Sequence, residues 1–180
     1  KEYKSFIGKK EKILSEREDV LVMINEIDAK KCELFMKTYE IIDHNFKVIF
    51  SALSTKGEAS LELEDKNDPF NGGLFLKVRI TGTKFLDIKS LSGGEKTMAA
   101  LAFIFAVQEY DPAPFYILDE VDAALDKKNS EQLSNLIKNY AKKAQYIIIS
   151  HNDSVISEAA ILYGVSMNEF GISKVTSLKI

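Results

Sequence analysis

Four short stretches of this sequence hold residues able to do chemistry. Leu91-Ser92-Gly93-Gly94-Glu95-Lys96 lies directly before a long apolar segment. Adjacent glycines let a backbone come close to a ligand. A serine hydroxyl beside the free amides of a helix start makes an anion site. The same residues also suit a plain helix start capped by Ser92, with the glycines serving only the turn. Phe115-Tyr116-Ile117-Leu118-Asp119-Glu120 is an apolar run ending in two carboxylates. In open α/β sheets ligands lie beyond the carboxyl ends of the strands. Asp119 there can hold magnesium, largely through water, and Glu120 can accept a proton from an attacking water. The plainer alternative is a pair of solvated acids after a strand. Asp122 and Asp126 add two more carboxylates nearby, and clustered carboxylates repel unless a cation or a function holds them. Ser150-His151 ends a second apolar run, Tyr146 to Ile149. His151 thus falls at the same sheet edge as Asp119, where its ring can donate a hydrogen bond to a phosphate. His44 has no such context and reads as structural.

The elements that position these residues follow from periodicity. Up to about residue 45 the chain has no proline and one glycine, Gly8. Phe6, Ile13, Val20, Ile27, Leu34 and Ile41 recur every seven residues, with Ile7, Leu14, Leu21, Phe35 and Ile42 widening the stripe. The other seam is mixed: Tyr3, Lys10, Arg17, Ile24, Lys31 and Thr38. This pattern predicts one long helix, either a coiled-coil strand leaving the domain or an amphipathic helix lying on it; the unbroken heptads favour the coiled coil. Residues 46–53, 59–64 and 74–80 read as three strands of an antiparallel sheet, with turn chemistry at Asn67-Asp68-Pro69 and Asn71-Gly72-Gly73. Residues 95–109 form a helix apolar on almost all sides, hence expected to be buried. Phe115–Leu118 and Tyr146–Ile149 read as buried parallel strands flanking an amphipathic helix over 129–144, whose Asn129 and Gln132 resemble a capping box. A short helix near 154–159 and a hairpin, 161–167 and 172–180, complete the chain.

Composition sets the outer bounds. With 180 residues, 46% hydrophobic and 28% charged, the sequence is that of a globular domain with an appendage. A net charge of −3 gives no bulk attraction to nucleic acid, although a local basic patch is compatible with it. No apolar run approaches the roughly 20 residues of a membrane span, and no membrane partner is expected. Cys32 is the single cysteine and reads as a packed thiol on a helix. The chain opens with lysine instead of methionine, which suggests a piece of something longer.

LSGGEK, FYILDE, VDAALD and ISH, in this order, resemble the C-terminal half of ABC-type ATPases. DEVDAALD, the long N-terminal helix and the ending YGVSM…GISKV narrow the resemblance to the structural maintenance of chromosomes (SMC) family. It covers nearly the whole chain. The implied fold is the α/β C-terminal lobe of an ABC-type P-loop ATPase head: parallel strands with helices, a small antiparallel sheet and an N-terminal coiled-coil helix. The implied boundaries are 1–45 for the coiled-coil helix and 46–180 for the lobe. The resemblance implies that Ser92, Gly93, Gly94 and Glu95 form the signature loop, which meets the γ-phosphate of ATP on the opposite head. It implies that Asp119 is the magnesium-holding Walker B aspartate, Glu120 the catalytic base and His151 the switch histidine. Ala124, Leu125 and Asp126 would form the D-loop of the dimer interface.

No G-x-x-x-x-G-K-[ST] phosphate loop occurs in the sequence. In the family that loop lies at the other end of a very long chain. The resemblance therefore implies an ATPase active only when joined to the N-terminal half that carries it. It implies a second head in an ATP-sandwiched dimer, a kleisin-type subunit and DNA as further partners. The expected role is chromosome condensation, segregation or DNA organisation, in the cytoplasm and on the nucleoid. A coiled-coil double-strand-break repair ATPase of the same superfamily is the nearest alternative. A coiled-coil adaptor that has lost hydrolysis is a second, against which Glu120 and Ser92 speak.

Overall fold

The computed structural model describes residues 2–54, 57–80, 82 and 84–179. The first residue of the expected coiled coil, Lys1, and the last of the expected hairpin, Ile180, lie outside the described residues. The chain divides into two compact units, Lys1–Ile41 and Ile42–Ile180.

Helix α1 spans Glu2–Leu53. In the first unit its heptad positions Phe6, Ile13, Val20, Ile27 and Leu34 are all exposed, so the seam stands uncovered. The helix does not stop near residue 45. Residues 46–53, expected as a strand, are its last turns. Phe46, Phe50 and Leu53, spaced by four and three, are all 0% exposed, whereas Val48 is open to solvent. A strand would have turned Phe46, Val48 and Phe50 to one side. The aromatic and β-branched composition favoured a strand; packing of the helical face overrode it. The Phe46 ring meets Phe103 edge-on at 6.0 Å and Phe50 at 6.2 Å.

The antiparallel sheet is built from β1 (Glu58–Leu63), β2 (Leu74–Arg79) and β3 (Leu86–Asp87), in that order. Its third strand is therefore the short β3 and not residues 46–53. β1 alternates, burying Ala59, Leu61 and Leu63. Asp43 of α1 ties the helix to this sheet: its Oδ1 accepts from the Leu61 amide at 2.7 Å and its Oδ2 from Lys47 Nζ at 2.6 Å. On the polar face Lys77 lies between Glu62 and Asp87 (3.7 and 3.8 Å), and Arg79 pairs with Glu58.

A 3-10 turn, Ile88–Ser90, leads into α2 (Gly93–Tyr110). α2 buries Met98, Ala99, Leu101, Ala102, Phe105 and Ala106, but Ile104 and Val107 are exposed. It is thus half covered, not enclosed on all sides as its composition suggested. β4 (Phe115–Asp119) and β5 (Gln145–Ile149) pair in parallel, joined through α3 (Lys127–Tyr140). Both strands are half-buried on one face and exposed on the other. Tyr116 and Tyr146 stack at 5.1 Å on the helix side, and Phe105 packs on Tyr140 at 5.1 Å. Phe115, Ile117, Ile147 and Ile149 face outward. The expectation of fully buried strands fails for this reason: among the described residues nothing covers the second face. α3 starts earlier than expected and ends at Tyr140. Its cap is Asp126, whose carboxylate accepts from the Asn129 amide at 2.8 Å, not the Asn129–Gln132 pair. A one-turn helix α4 (Asp153–Ile156) precedes the hairpin of β6 (Ile161–Met167) and β7 (Ser173–Lys179).

Candidate active site at the carboxyl edge of the parallel strands

Ser92 is the N-cap of α2 in a reciprocal capping box. Its backbone amide donates to Glu95 Oε2 at 2.8 Å, and the Glu95 amide donates to Ser92 Oγ at 3.4 Å. The plain reading of this loop as a capped helix start is therefore correct as far as it goes. It leaves the glycines unequal. A side chain on Gly94 would sit 2.9 Å from the carbonyl oxygen of Ala124, closer than a Cβ can come. Gly94 is required so that this loop can lie against the turn that follows β4. A side chain on Gly93 would meet nothing within 4 Å. The chain's own packing gives Gly93 no reason to be glycine.

β4 ends at Asp119, which pairs with Ile149 at the end of β5. Glu120 follows with φ = 47°, in the left-handed region. For a side chain longer than Asn or Asp this conformation costs about 1–2 kcal/mol, and such strain concentrates at functional positions. The conformation is held by a 2.8 Å bond from the Glu120 amide to the Ile149 carbonyl. It brings Glu120 Oε1 to 3.2 Å from His151 Nε2; the two side chains are 54% and 89% exposed. The pair thus stands together at the carboxyl edge of the parallel strands, open to solvent.

Asp122 and Asp126 play different parts from those the carboxylate cluster suggested. Asp122 is only 4% exposed and turned inward. Its Oδ2 accepts from Ser150 Oγ at 2.6 Å. Asp126 spends its side chain on the α3 cap. The repulsion argument therefore overcounted: two of the four acids are satisfied by protein donors. Among the described residues no group of three or more His, Cys, Asp or Glu side chains is placed to hold a metal by itself. Ser150, given no role in the sequence, and Ser130 and Asn152, not singled out there, form a polar network with Asp122. Asn152 Nδ2 donates to Ser130 Oγ at 2.9 Å, and the Asn152 amide donates to Ser150 Oγ at 2.9 Å. The signal for them was present: polar residues flanking His151, and a lone aspartate among the apolar residues of VDAAL.

The structure thus joins Glu120 to His151, and Gly94 to the Ala124 turn. The side chains of Ser92 and Glu95 each accept from the other's backbone amide.

Residues 4–174 match the family model described as RecF/RecN/SMC N terminal domain. The chain is 44% identical over 178 residues to the chromosome partition protein Smc of Pyrococcus furiosus, covering 99% of this chain and 15% of that protein. A crystal structure of the Smc head domain with an extended coiled coil, bound to the C-terminal domain of ScpA and derived from the same organism, is similar with a TM-score of 0.87. It is 45% identical, over 96% of this chain and 43% of that one. A structure described under ATP-driven dimerization and DNA stimulated activation of SMC ATPases gives 0.76 at 44% identity, over 82% of this chain and 89% of that one. The order of motifs, the edge they share and these likenesses agree: the chain belongs to the RecF/RecN/SMC family, with the fold of the C-terminal lobe of an SMC head.

Proposed function

We propose that this chain is the C-terminal half of an SMC ATPase head, working in chromosome partition. The observation that carries the proposal is the Glu120–His151 pair, held by a strained backbone at the carboxyl edge of the parallel strands. That is where ligands of open α/β sheets bind. Glu120 orients a water and takes its proton as the water attacks the terminal phosphate of ATP. His151 steadies Glu120 and donates toward the phosphate. Asp119, exposed beside this pair, suits a magnesium ion, which takes one or two carboxylates, phosphate oxygens and water and needs no larger acidic cage. Bound there, magnesium would neutralise charge on the phosphates.

The phosphate-binding loop comes from the N-terminal half of the same head. Ile117, Ile147 and Ile149 on the outer face of β4 and β5 support this, because parallel sheets are covered on both faces. Ser92, Gly93, Gly94 and Glu95 serve the nucleotide of a second head. The Ser92 oxygen accepts within its own loop, and a hydroxyl retains its hydrogen for an anion. The open space at Gly93 admits the approach, and Asp126 lies at the dimer interface. A kleisin-type subunit and DNA complete the assembly, as the names of the similar structures suggest. No helix among the described residues is long and apolar enough to cross a membrane; the proposed role in chromosome partition carries with it a place on the nucleoid in the cytoplasm. The curated relative is a chromosome partition protein, which favours this role over break repair.

Glu120→Gln in the head assembled with its N-terminal half is the test. The amide keeps the size but cannot take a proton. Turnover is expected to fall by about 10²–10⁴-fold while ATP binding persists and ATP-bound dimers accumulate. Turnover close to that of the parent would remove Glu120 from the role of base.

A further inference from the structure

Glu120 and His151 are both exposed, so neither is held in place by side-chain packing. Their positions come from the backbone of two separate loops. Beside the backbone bond from the Glu120 amide to the Ile149 carbonyl, a part-buried side-chain hydrogen bond joins those loops: Ser150 Oγ donates to Asp122 Oδ2 at 2.6 Å. Asp122 lies two residues after Glu120, and Ser150 directly precedes His151. We propose that Asp122, through Ser150, is a positioning residue that locks the histidine loop to the turn carrying the base. The proposal rests on the reading of Glu120 and His151 as the hydrolytic pair.

Three observations support it. An aspartate that is 4% exposed costs free energy unless it is hydrogen-bonded, and an apolar residue would fill a turn interior more cheaply. The bond does not stand alone. Ser150 Oγ also accepts from the Asn152 amide, and Asn152 Nδ2 donates to Ser130 Oγ, a hydroxyl with 0% exposure. His151 is thereby bracketed by bonded residues on both sides. The far end of the same turn is fixed as well, since the Ala124 carbonyl lies against Gly94 of the signature loop. The Asp122 turn therefore connects the loop that meets a second head to the loop that carries the histidine. A shift at either end would reach the Glu120–His151 geometry.

ATP turnover by the assembled head at saturating nucleotide tests this with Asp122→Ala, Ser150→Ala, Asp122→Asn and Ser150→Thr. Misplacement of reacting groups by about 1 Å can cost on the order of 10²-fold, and kcat of both alanine variants is expected to fall by about that factor with KM for ATP unchanged. Ser150→Thr keeps the hydroxyl and Asp122→Asn keeps an acceptor oxygen, so both are expected to restore most of the rate. In a His151→Ala background, Asp122→Ala is expected to add no further loss, because residues that act as a unit are not additive. A merely structural Asp122 would lower the active fraction equally in both backgrounds, and that result would overturn the proposal. So would a parent kcat in Asp122→Ala. Should Asp122→Ala fail to fold, equal rates for Ser150→Ala and Ser150→Thr would overturn it instead. Glu120→Gln is measured alongside: full turnover there sinks the hydrolytic reading itself, while its loss together with normal Asp122 and Ser150 variants sinks only the positioning role.

Discussion

Glycine and glutamate carry the sharpest statements at the scale of single residues. Gly93 and Gly94 are neighbours with different reasons for being glycine. Gly94→Ala forces a methyl against the Ala124 carbonyl and is expected to destabilise the chain by about 1–3 kcal/mol, as overpacking does. Gly93→Ala meets open space and is expected to leave the unfolding midpoint unchanged or slightly raised, yet to weaken nucleotide-driven head dimerisation. Denaturant unfolding and sedimentation on the two variants check this pair. Glu120, at φ = 47°, is expected to trade stability for function: Glu120→Gly should raise the thermal midpoint while abolishing turnover. At this scale the sequence was readable for place: Asp119, Glu120 and His151 stand at the carboxyl edge of the parallel strands, as the apolar runs before them indicated. It was not readable for Asp122 and Asp126, because spacing does not say which way a carboxylate faces. One turned into a hydroxyl network and the other onto a helix amide.

Elements were legible where one periodicity held without competition. The heptads of α1, the alternation of β1 and the hairpin of β6 and β7 are of this kind. Residues 46–53 fitted two periods at once, since Phe46, Val48 and Phe50 alternate while Phe46, Phe50 and Leu53 repeat helically. Only packing decides such a segment. Phe50→Ala is therefore expected to cost about 3–5 kcal/mol, while Val48→Ala should stay within about 0.5 kcal/mol, as exposed positions do. Comparable losses at both positions in denaturant unfolding would favour the strand. The aromatic core between α2, α3 and β5 carries a pH dependence. Burial, and then Glu109, push the Tyr140 phenol up from 10.0 to about 12. Burial also raises Tyr146, whose hydroxyl meets Gln108. A phenol harder to ionise in the folded chain contributes stability that is complete below its ordinary value and is lost as pH rises from 10.0 toward about 12. Tyr140→Phe should flatten that loss, as followed by unfolding at stepped alkaline pH.

At the scale of the whole molecule, the chain spans 15% of the curated relative it matches, and apolar side chains lie open on its surface. The heptad seam of residues 1–41 is uncovered. Within residues 42–180 the outer face of β4 and β5 and the α2 residues Ile104 and Val107 are open. The outer face of β4 and β5, with Phe115, Ile117, Ile147 and Ile149 exposed, is an apolar patch of the kind that marks a binding face. Ser92→Arg separates the two levels of assembly. It should leave ATP binding to one head almost unchanged, abolish dimerisation on ATP, and abolish hydrolysis with it, since the transition state lacks its trans donors. Calorimetry and sedimentation on that variant read the two effects. Loss of ATP binding by a single Ser92→Arg head would place the signature loop in its own pocket and contradict the sandwich arrangement. The most direct measurement is phosphate release from Mg·ATP by this chain alone, by the N-terminal half alone, and by the two together. The chain holds Glu120 and His151, the proposed base and its partner, but no phosphate-binding loop occurs in its sequence. No turnover is expected from either half, and the pair is expected to turn over ATP at a rate that vanishes with Glu120→Gln. Hydrolysis by this chain alone, or by the pair at the parent rate with Glu120→Gln, would contradict the proposed function.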